Sequence, residues 1–219
     1  MNLSRHILVN TSYTRSINIE RDLESLEGGR PYIPTARSIQ TIGRIADTLH
    51  QGVAPRAWAL IGPYGSGKSA FGLFLSNLLN SSYWDPAIHA RKVLSQADAE
   101  LGDRIGKSIG DSVGYCLITI TGSPEPLTRR LAIAMLSAAE DFRGVQRGGV
   151  PGFMRALRSA IEGQGEIAVG DLIDWLSDLQ RQVVKDKGKG VLIVIDELGK
   201  FLEYEARHRQ TPGRLSHFL

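Results

Sequence analysis

The sequence predicts an α/β domain built around a mainly parallel β-sheet. Three short runs of residues are apolar along almost their whole length, and each one ends at glycine or at acidic residues. The segments between them carry apolar residues at steps of three and four, which is typical of helices that pack on one face. Strands that are apolar on both faces occur in parallel sheets covered by helices. A chain of 219 residues suits one such domain with a short appendage.

The first part of the chain is polar and leads into a helix and a strand. Residues 1–34 are mixed in character and end near a Gly-Gly-Arg-Pro break, so we assign them to a surface arm and residues 35–219 to the domain. Apolar residues at helical spacing predict an amphipathic helix from Ser38 to Gln51. The run "RAWALIG" at 56–62 predicts a buried strand, and "KSAFGLFLSNLLNS" at 68–81 predicts a helix.

The middle of the chain repeats the strand–helix order. Residues 84–112 are polar with scattered apolar positions and are assigned as helical or irregular. The run "VGYCLITITG" (Val113–Gly122) is rich in β-branched and aromatic residues and predicts a second buried strand. Ser123 is the expected N-cap of the next helix, with Pro124 at its first position. Its inward stripe is predicted to contain Leu127, Leu131, Ala134, Met135 and Ala138.

The last part of the chain ends in a third strand. After a glycine-rich loop at 143–152, a helix is predicted from about Phe153 to Ile161. Asp171 is the expected cap of a stronger helix. The stripe of that helix is predicted to contain Leu172, Trp175, Leu176, Leu179 and Val183. The run "VLIVIDE" at 191–197 predicts a buried strand with two carboxylates at its end, followed by a helix from Leu198 to Ala206.

The glycine-rich turn after the first predicted strand has the spacing of a phosphate-binding loop. Residues 62–69 match G-x-x-x-x-G-K-[ST] at every fixed position, between a predicted strand and a predicted helix. Glycine lets the backbone turn tightly and approach a ligand without a Cβ in the way. The predicted nucleotide-binding residues are Gly62, Pro63, Tyr64, Gly65, Ser66, Gly67, Lys68, Ser69 and Ala70. The alternative is a glycine turn that binds nothing.

Lys68, Ser69 and the acidic end of the third strand supply the expected chemistry. Lys68 offers a mobile positive charge for the β and γ phosphates, and Ser69 offers a hydroxyl to Mg²⁺. Because ligand sites gather at the carboxyl ends of parallel strands, Asp196 is predicted to lie beside the glycine loop and to hold Mg²⁺ with Ser69. Glu197 is positioned to activate water, so Glu197 and Lys68 are the candidate catalytic residues. The alternative is that Asp196 only caps the following helix.

These two motifs resemble those of a known superfamily. "GPYGSGKS" and "VLIVIDE" resemble the Walker A and Walker B motifs of P-loop NTPases. The glutamate after the aspartate is similar to the additional-strand division, which includes AAA+ and STAND ATPases, rather than to small GTPases or nucleotide kinases. The entry "GVAPRAWALIGPYGSGKSAF" resembles that of AAA-type modules in large bacterial ATPases, some of them linked to DNA transactions or phage defence. The resemblance spans about residues 35–206 and implies a three-layer P-loop fold and Mg²⁺-dependent ATP hydrolysis.

One part of the family pattern is missing. In the additional-strand division a further strand follows Walker B, ends in a polar sensor residue and lies between the two Walker strands, and an arginine finger usually comes later. Only 22 residues follow Glu197, and "HRQTPGRLSHFL" contains no apolar strand. We therefore expect a truncated or split ATPase, incomplete on its C-terminal side, with weak or absent turnover. The alternative is that an unusual element such as "RHILVNTS" completes the sheet.

Composition limits the expected partners. The balance of 26 basic and 23 acidic residues is too even to support a nucleic-acid surface. The N-terminus has no continuous apolar stretch, and no window holds about 18 uninterrupted apolar residues, so a cytoplasmic protein without membrane contact is expected. We expect ATP as the ligand and a protein partner or an oligomer as the assembly. A non-catalytic interaction module stabilised by nucleotide is the alternative function, and a nucleic-acid motor subunit is a third hypothesis.

The remaining polar residues carry weaker hypotheses. Arg129 and Arg130 are assigned to the solvated face of a helix. The basic tail, which contains Arg207, His208, Arg209 and Arg214, is assigned to an ordinary exposed end. His50, His89 and His217 have no neighbours at metal-ligand spacing and are assigned to the surface. Cys116, the only cysteine, is predicted to be a small core hydrophobe that forms no disulfide within the chain.

Overall fold

The described part of the chain is a mixed α/β structure that is mostly helical. The computed structural model describes residues 16–24, 32–51, 56–81, 83–143, 150–163 and 165–208. Its helices are α1 (Ile19–Glu24), α2 (Ala36–Gln51), α3 (Lys68–Leu79), α4 (Asp85–Ala97), α5 (Ala99–Ile109), α6 (Leu127–Arg143), α7 (Gly152–Glu162), α8 (Val169–Lys185) and α9 (Leu198–His208). Its strands are β1 (Tyr115–Thr121) and β2 (Gly190–Asp196).

The two strands form a parallel pair. Their register runs from Tyr115 opposite Gly190 to Thr121 opposite Asp196. The predictions of strands at 113–122 and 191–197 are therefore confirmed, as is their parallel direction. The carboxyl ends of both strands lie side by side, which places Asp196 next to the loop that follows β1.

Helices cover both faces of this small sheet. Side chains alternate between the two faces along a strand, and Cys116, Ile118 and Ile120 are buried on one face against residues of α6, α7 and α8 and Phe201 of α9. Tyr115 and Leu192 point the other way and pack against residues of α2, α3, α4 and α5. The prediction that Cys116 is a core residue is confirmed.

Most of the predicted helices are present. The helices predicted at 38–51, 68–81, 153–161 and 198–206 form within a few residues of their predicted bounds. The uncertain stretch at 84–112 forms α4 and α5, divided at Asp98, whose side chain accepts the N–H of Leu101 at 2.9 Å and caps α5. No helix in the described residues is both long and apolar enough to cross a membrane.

The strand predicted over "RAWALIG" does not form. Residues 56–61 have no regular secondary structure, and the exposed fractions of Trp58, Leu60 and Ile61 are 43%, 44% and 95%. A strand needs a neighbouring backbone to bond its N–H and C=O groups. Among the described residues no strand pairs with this segment or with the edge of β2 that faces away from β1. The sheet therefore has fewer strands than the sequence predicted.

Two predicted helix caps were wrong for local chemical reasons. The hydroxyl of Ser123 donates to the carboxylate of Glu125 at 2.5 Å, and α6 begins four residues later, at Leu127. Asp171 lies in the first turn of α8, whose N-cap is Ala168. A carboxylate in the first turn still interacts favourably with the helix dipole. The predicted apolar stripes of α6 and α8 both face the core. Their buried members are Leu127, Leu131, Met135, Ala138, Leu172, Leu179 and Val183. Ala134, Trp175 and Leu176 are only partly buried against the same core.

The predicted N-terminal arm contains a packed helix. Ile19 of α1 is 1% exposed and contacts α3 at Gly72, where a Cβ would come within 2.9 Å of its Cδ1. The carboxylate of Glu20 accepts the N–H of Thr121 and forms an ion pair with Arg130. These contacts attach α1 to the end of β1 and to α6. The segment "RHILVNTS" lies outside the described residues.

Candidate functional site

The glycine-rich turn has the backbone that its sequence requires. Gly65 and Gly67 adopt φ angles of 77° and 83°, in the left-handed region where residues with a Cβ are strained. A Cβ on Gly62 would lie 3.1 Å from the Oγ of Ser66, a tight contact. The loop thus needs glycine at 65 and 67, and it leads directly into α3.

The first turn of α3 leaves its amide groups open to an anion. Gly67 is the N-cap, no side chain bonds to the cap, and the first turn contains no acidic residue. The N–H groups of Lys68, Ser69 and Ala70 precede the first intrahelical bond, which Phe71 makes to Gly67. Helix N-termini of this kind attract negative charge through unbonded N–H groups and the helix dipole.

Lys68 folds back over the loop. Its Nζ donates to the carbonyl oxygens of Gly62 and Pro63, both at 2.9 Å, and lies 3.4 Å from the Oγ of Ser66. In the described part of the chain, no carboxylate forms an ion pair with Lys68. Its charge is therefore held at the loop and is not neutralised there, as a phosphate-binding lysine requires.

The carboxylates at the end of β2 are held by a strained turn. The Oδ1 of Asp196 accepts the N–H of Glu197 at 3.0 Å, and Glu197 has a φ of 52°. The Oε2 of Glu197 lies 2.5 Å from the Nζ of Lys200, so its carboxylate is engaged in an ion pair. Gly122, directly after β1, lies against this turn. A Cβ at this position would overlap the carbonyl oxygen of Glu197.

The loop and the end of β2 face the same region. The pKa of Lys200 is raised, first by its hydrogen bond to Glu197 and the charge of that residue, then by the charges of Asp196 and Tyr64. A Cβ on Gly72 of α3 would lie 3.6 Å from the Cγ1 of Val194, so the start of α3 lies near the end of β2. Among the described residues, no hydrogen bond or ion pair joins Lys68 or Ser69 to Asp196.

The donor atoms of the predicted metal residues suit Mg²⁺. A hydroxyl from Ser69 and a carboxylate from Asp196 are hard oxygen ligands of the type that Mg²⁺ prefers, and this ion is usually bound by one or two protein groups together with substrate phosphates. Within the described ranges, no group of three or more His, Cys, Asp or Glu side chains could hold a metal by itself. The side chain of His89 is exposed, whereas His217 lies outside the described residues.

Several residues near the site were missed or wrongly assigned from the sequence. Arg129 and Arg130 do not lie on a solvated face: Arg129 donates to the carbonyl of Ile161 at 2.7 Å, and Arg130 pairs with Glu20. The role of Lys200 was also missed, although its position three residues after Glu197 on a predicted helix indicates that the two side chains can meet. The Glu20 contact carries no sequence signal, because it joins residues 110 positions apart.

A cleft adjoins the end of β2. It has a volume of about 440 Å³ and lies between the loop after β1 and one face of α9. Its lining residues are Gly122, Ser123, Pro124, Lys200, Glu203, Tyr204, Arg207 and His208. The ring of Tyr204 stacks on that of His208 with centroids 4.1 Å apart. Lys200 therefore belongs both to this cleft and to the ion pair with Glu197.

Comparison with known protein families, with curated proteins and with solved structures finds no match to the chain.

Proposed function

We propose that this chain is an ATP-binding domain of the P-loop NTPase type, resembling AAA+ and STAND ATPases. The observation that carries the proposal is the loop at 62–67, where two left-handed glycines lead into a helix with open amide groups. Lys68 adds a positive charge without a carboxylate partner in the described part of the chain. This arrangement favours binding of the phosphates of a nucleotide.

Each residue of the site has a separate role in the proposal. The N–H groups of Gly65 and of Gly67 to Ala70 bind phosphate oxygens, and Lys68 exchanges the carbonyl oxygens of the loop for the β and γ phosphates. Ser69 and Asp196 hold Mg²⁺, which neutralises phosphate charge when it is bound. Glu197 accepts a proton from the attacking water once its carboxylate is free of Lys200. In its intact form the domain would couple hydrolysis to a conformational change.

The proposal includes weak or absent turnover by this chain alone. Glu197 is engaged by Lys200, and the segment before the loop makes no strand that would fix the distance between Lys68 and Asp196. Catalytic groups misplaced by about 1 Å can lose two orders of magnitude in rate. A complete three-layer P-loop fold would need more strands than β1 and β2, and a partner or a further segment would have to supply them.

A second candidate is an interaction module or the split subunit of a larger, defence- or DNA-associated complex. The observation that favours it is the exposed apolar segment at 56–61 together with the edge of β2 that no strand of the described residues pairs with. Exposed strand edges and apolar patches are typical of protein–protein contacts. In this candidate, nucleotide binding stabilises a surface for the partner. We propose a cytoplasmic location in either case.

Titration with a fluorescent ATP analogue in the presence of Mg²⁺ tests nucleotide binding. Lys68→Ala should weaken binding at least tenfold, because it removes the charge that faces the phosphates. Lys107→Ala is the matched control, since Lys107 is an exposed lysine on α5 that pairs with Asp103. Equal affinity of the Lys68→Ala variant and the unaltered protein would rule out the proposed site.

Glu197→Gln separates the two candidates. If a partner completes an ATPase site, the complex that carries this variant should bind the analogue normally and lose hydrolysis, because the amide cannot accept the proton of water. In a non-catalytic module it should leave both the analogue affinity and the biological activity of the complex unchanged. The amount of partner that the protein captures can then be compared with and without nucleotide.

A further inference from the structure

Helix α8 carries a second apolar stripe, which the core does not cover. The residues of this stripe recur at steps of three and four along the helix: Val169, Ile173, Leu176, Gln180 and Val184. Ile173 and Val184 are 57% and 55% exposed, and the other three are half-buried. Single exposed apolar residues are common on protein surfaces, but these two lie on one stripe, about three turns apart. The stripe therefore offers a contact face for another helix.

This stripe is separate from the residues that attach α8 to the core. Leu172, Leu179 and Val183 are buried, and each of them lies one position before a member of the exposed stripe. Successive helical residues differ in direction by about 100°, so the buried and exposed sets point to different sides of α8. Gln180 accepts the backbone N–H of Val191 at 3.0 Å, which places the exposed stripe on the side of α8 next to β2.

The charges on the outer face of α8 are divided between its two halves. Asp171, Asp174 and Asp178 lie in the first half, and Arg181 and Lys185 lie in the second. Asp178 and Arg181 pair with each other, whereas Asp174 and Lys185 have no ion-pair partner among the described residues. The helix dipole favours this polarity only in the first and last turns, and Asp174 lies beyond the first turn. A second α8 in the opposite direction would place each half against a half of opposite charge.

We propose that the exposed stripe of α8 is the interface of a homodimer, in which it packs antiparallel against α8 of a second copy of the chain. With the two-fold axis close to Asp178, Ile173 of one copy faces Val184 of the other. The same arrangement brings Asp174 near Lys185 of the second copy. Every contact in such an interface occurs twice, because the same patch is used on both copies.

The middle of the stripe suits a close approach of two helices. Ser177 is exposed there, and a small side chain at the contact shortens the distance between helix axes. Its hydroxyl already donates to the carbonyl of Ile173 at 2.8 Å, so burial between two helices would not leave it without a partner. One pair of 17-residue helices is a small interface, below the about 1,200 Å² of stable complexes. We therefore expect a weak dimer, with a Kd of about 10–100 μM.

Sedimentation equilibrium of the full chain over about 2–400 μM tests the dimer, since this range brackets the expected Kd. Ile173→Glu should weaken dimerisation at least about tenfold, because it buries an unpaired charge in the apolar stripe. The matched control is Ile88→Glu on α4, where the isoleucine is 51% exposed. This control should dimerise like the unaltered protein.

Charge exchange tests the contact between opposite halves of α8. Asp174→Lys and Lys185→Glu should each weaken dimerisation by about two- to tenfold, because each charge pair is modest and occurs twice. The double variant should recover most of the affinity. Lys92→Glu, at an exposed lysine of α4, changes the net charge equally and should have little effect. Higher salt should weaken the unaltered dimer.

Disulfide formation between two variants tests the antiparallel direction. In a Cys116→Ala background, a mixture of Ile173→Cys and Val184→Cys proteins should form a disulfide between copies when oxidised with diamide. Each variant alone should form few disulfides, because equivalent positions would lie about 16 Å apart along the antiparallel helices, beyond the reach of a disulfide.

Each result either supports or overturns the dimer. A chain that stays monomeric at the highest concentration would overturn it and would leave the stripe to a different protein. Equal dimerisation of Ile173→Glu and the unaltered protein would show that another face is used. Disulfides that form within Ile173→Cys alone would contradict the antiparallel direction. None of these measurements needs nucleotide, so they decide the dimer whether or not the protein binds the ATP analogue.

Discussion

The side-chain oxygen of Gln180 accepts the backbone N–H of Val191 at 3.0 Å, on the edge of β2 that faces away from β1. The carbonyl of Asp196 accepts the N–H of Gly122, so the backbone groups of Asp196 face β1. The backbone groups of alternate residues in a strand point to opposite edges. The backbone N–H and C=O groups of Val191, Ile193 and Ile195 therefore face the open edge. Gln180 of α8 closes the first of these positions with a side chain in place of a strand.

Gln180→Ala should destabilise the protein by about 1 kcal/mol, because it leaves the half-buried N–H of Val191 without its partner. Urea unfolding measures the change. The control is Gln182→Ala on the same helix, since the side chain of Gln182 donates to the carboxylate of Asp186 at the end of α8, at 2.8 Å. Equal stability of the two variants would show that water replaces Gln180 at no cost.

Gly122→Ala should destabilise the protein by about 1–3 kcal/mol, because the new Cβ would overlap the carbonyl of Glu197 and push apart the ends of β1 and β2. The comparison is Gly199→Ala in α9, which meets no atom within 4 Å and should stabilise the helix by about 0.5–1 kcal/mol. Thermal unfolding of both variants checks the prediction. Similar effects of the two substitutions would contradict the close approach at Gly122.

The thiol of Cys116 should be unreactive in the folded protein. Burial raises its pKa from 9.0 to about 12, and Asp141 adds a smaller effect in the same direction. Alkylation by iodoacetamide near neutral pH should therefore require unfolding. Rapid labelling under conditions that keep the protein folded would show that Cys116 is accessible.

The raised pKa of Cys116 also predicts a loss of stability at high pH. Between pH 9.0 and about 12 the unfolded chain loses this proton and the folded chain keeps it. The free energy of unfolding should therefore fall as pH rises above about 9, by up to about 1.4 kcal/mol per pH unit from this group. Cys116→Ala lacks the effect, so the difference between the two proteins should shrink as pH increases. A constant difference would contradict the shift.

Ile61→Ser should change the free energy of unfolding by less than about 0.5 kcal/mol, because the side chain of Ile61 is 95% exposed. Leu78→Ala in the core should cost about 2–5 kcal/mol in the same assay. A large effect of Ile61→Ser would show that the segment before the glycine loop is packed as a strand. Repeating the measurement with a captured partner would reveal whether the segment becomes buried in a complex.

The sequence predicted the elements that depend on residues close together in the chain. The glycines at 65 and 67 predicted a tight turn, and apolar runs predicted β1 and β2 at their observed positions. "RAWALIG" is also mostly apolar but forms no strand, because strand formation depends on a neighbouring backbone that composition does not reveal. Ser123 was a reasonable cap by residue type, yet its hydroxyl bonds to Glu125.

The sequence predicted which residues form the candidate site, but not which groups these residues bond to. Spacing alone indicated Lys68, Ser69, Asp196 and Glu197, and the structure adds that Lys68 bonds to its own loop and that Glu197 bonds to Lys200. Both are contacts of long side chains with several possible partners. Residue spacing limits which groups can meet but does not rank them. The placement of Glu20 at the end of β1 depends on the whole chain and has no local signal.

The register of the two strands also has a kinetic consequence. Tyr115 pairs with Gly190, 75 positions later, and α6, α7 and α8 lie between them. The chain must order these helices, or close a long loop, before the first strand–strand hydrogen bond can form. We expect helix formation to precede sheet formation during folding, so that backbone amide protons in α6 and α8 become protected from exchange before those in β2.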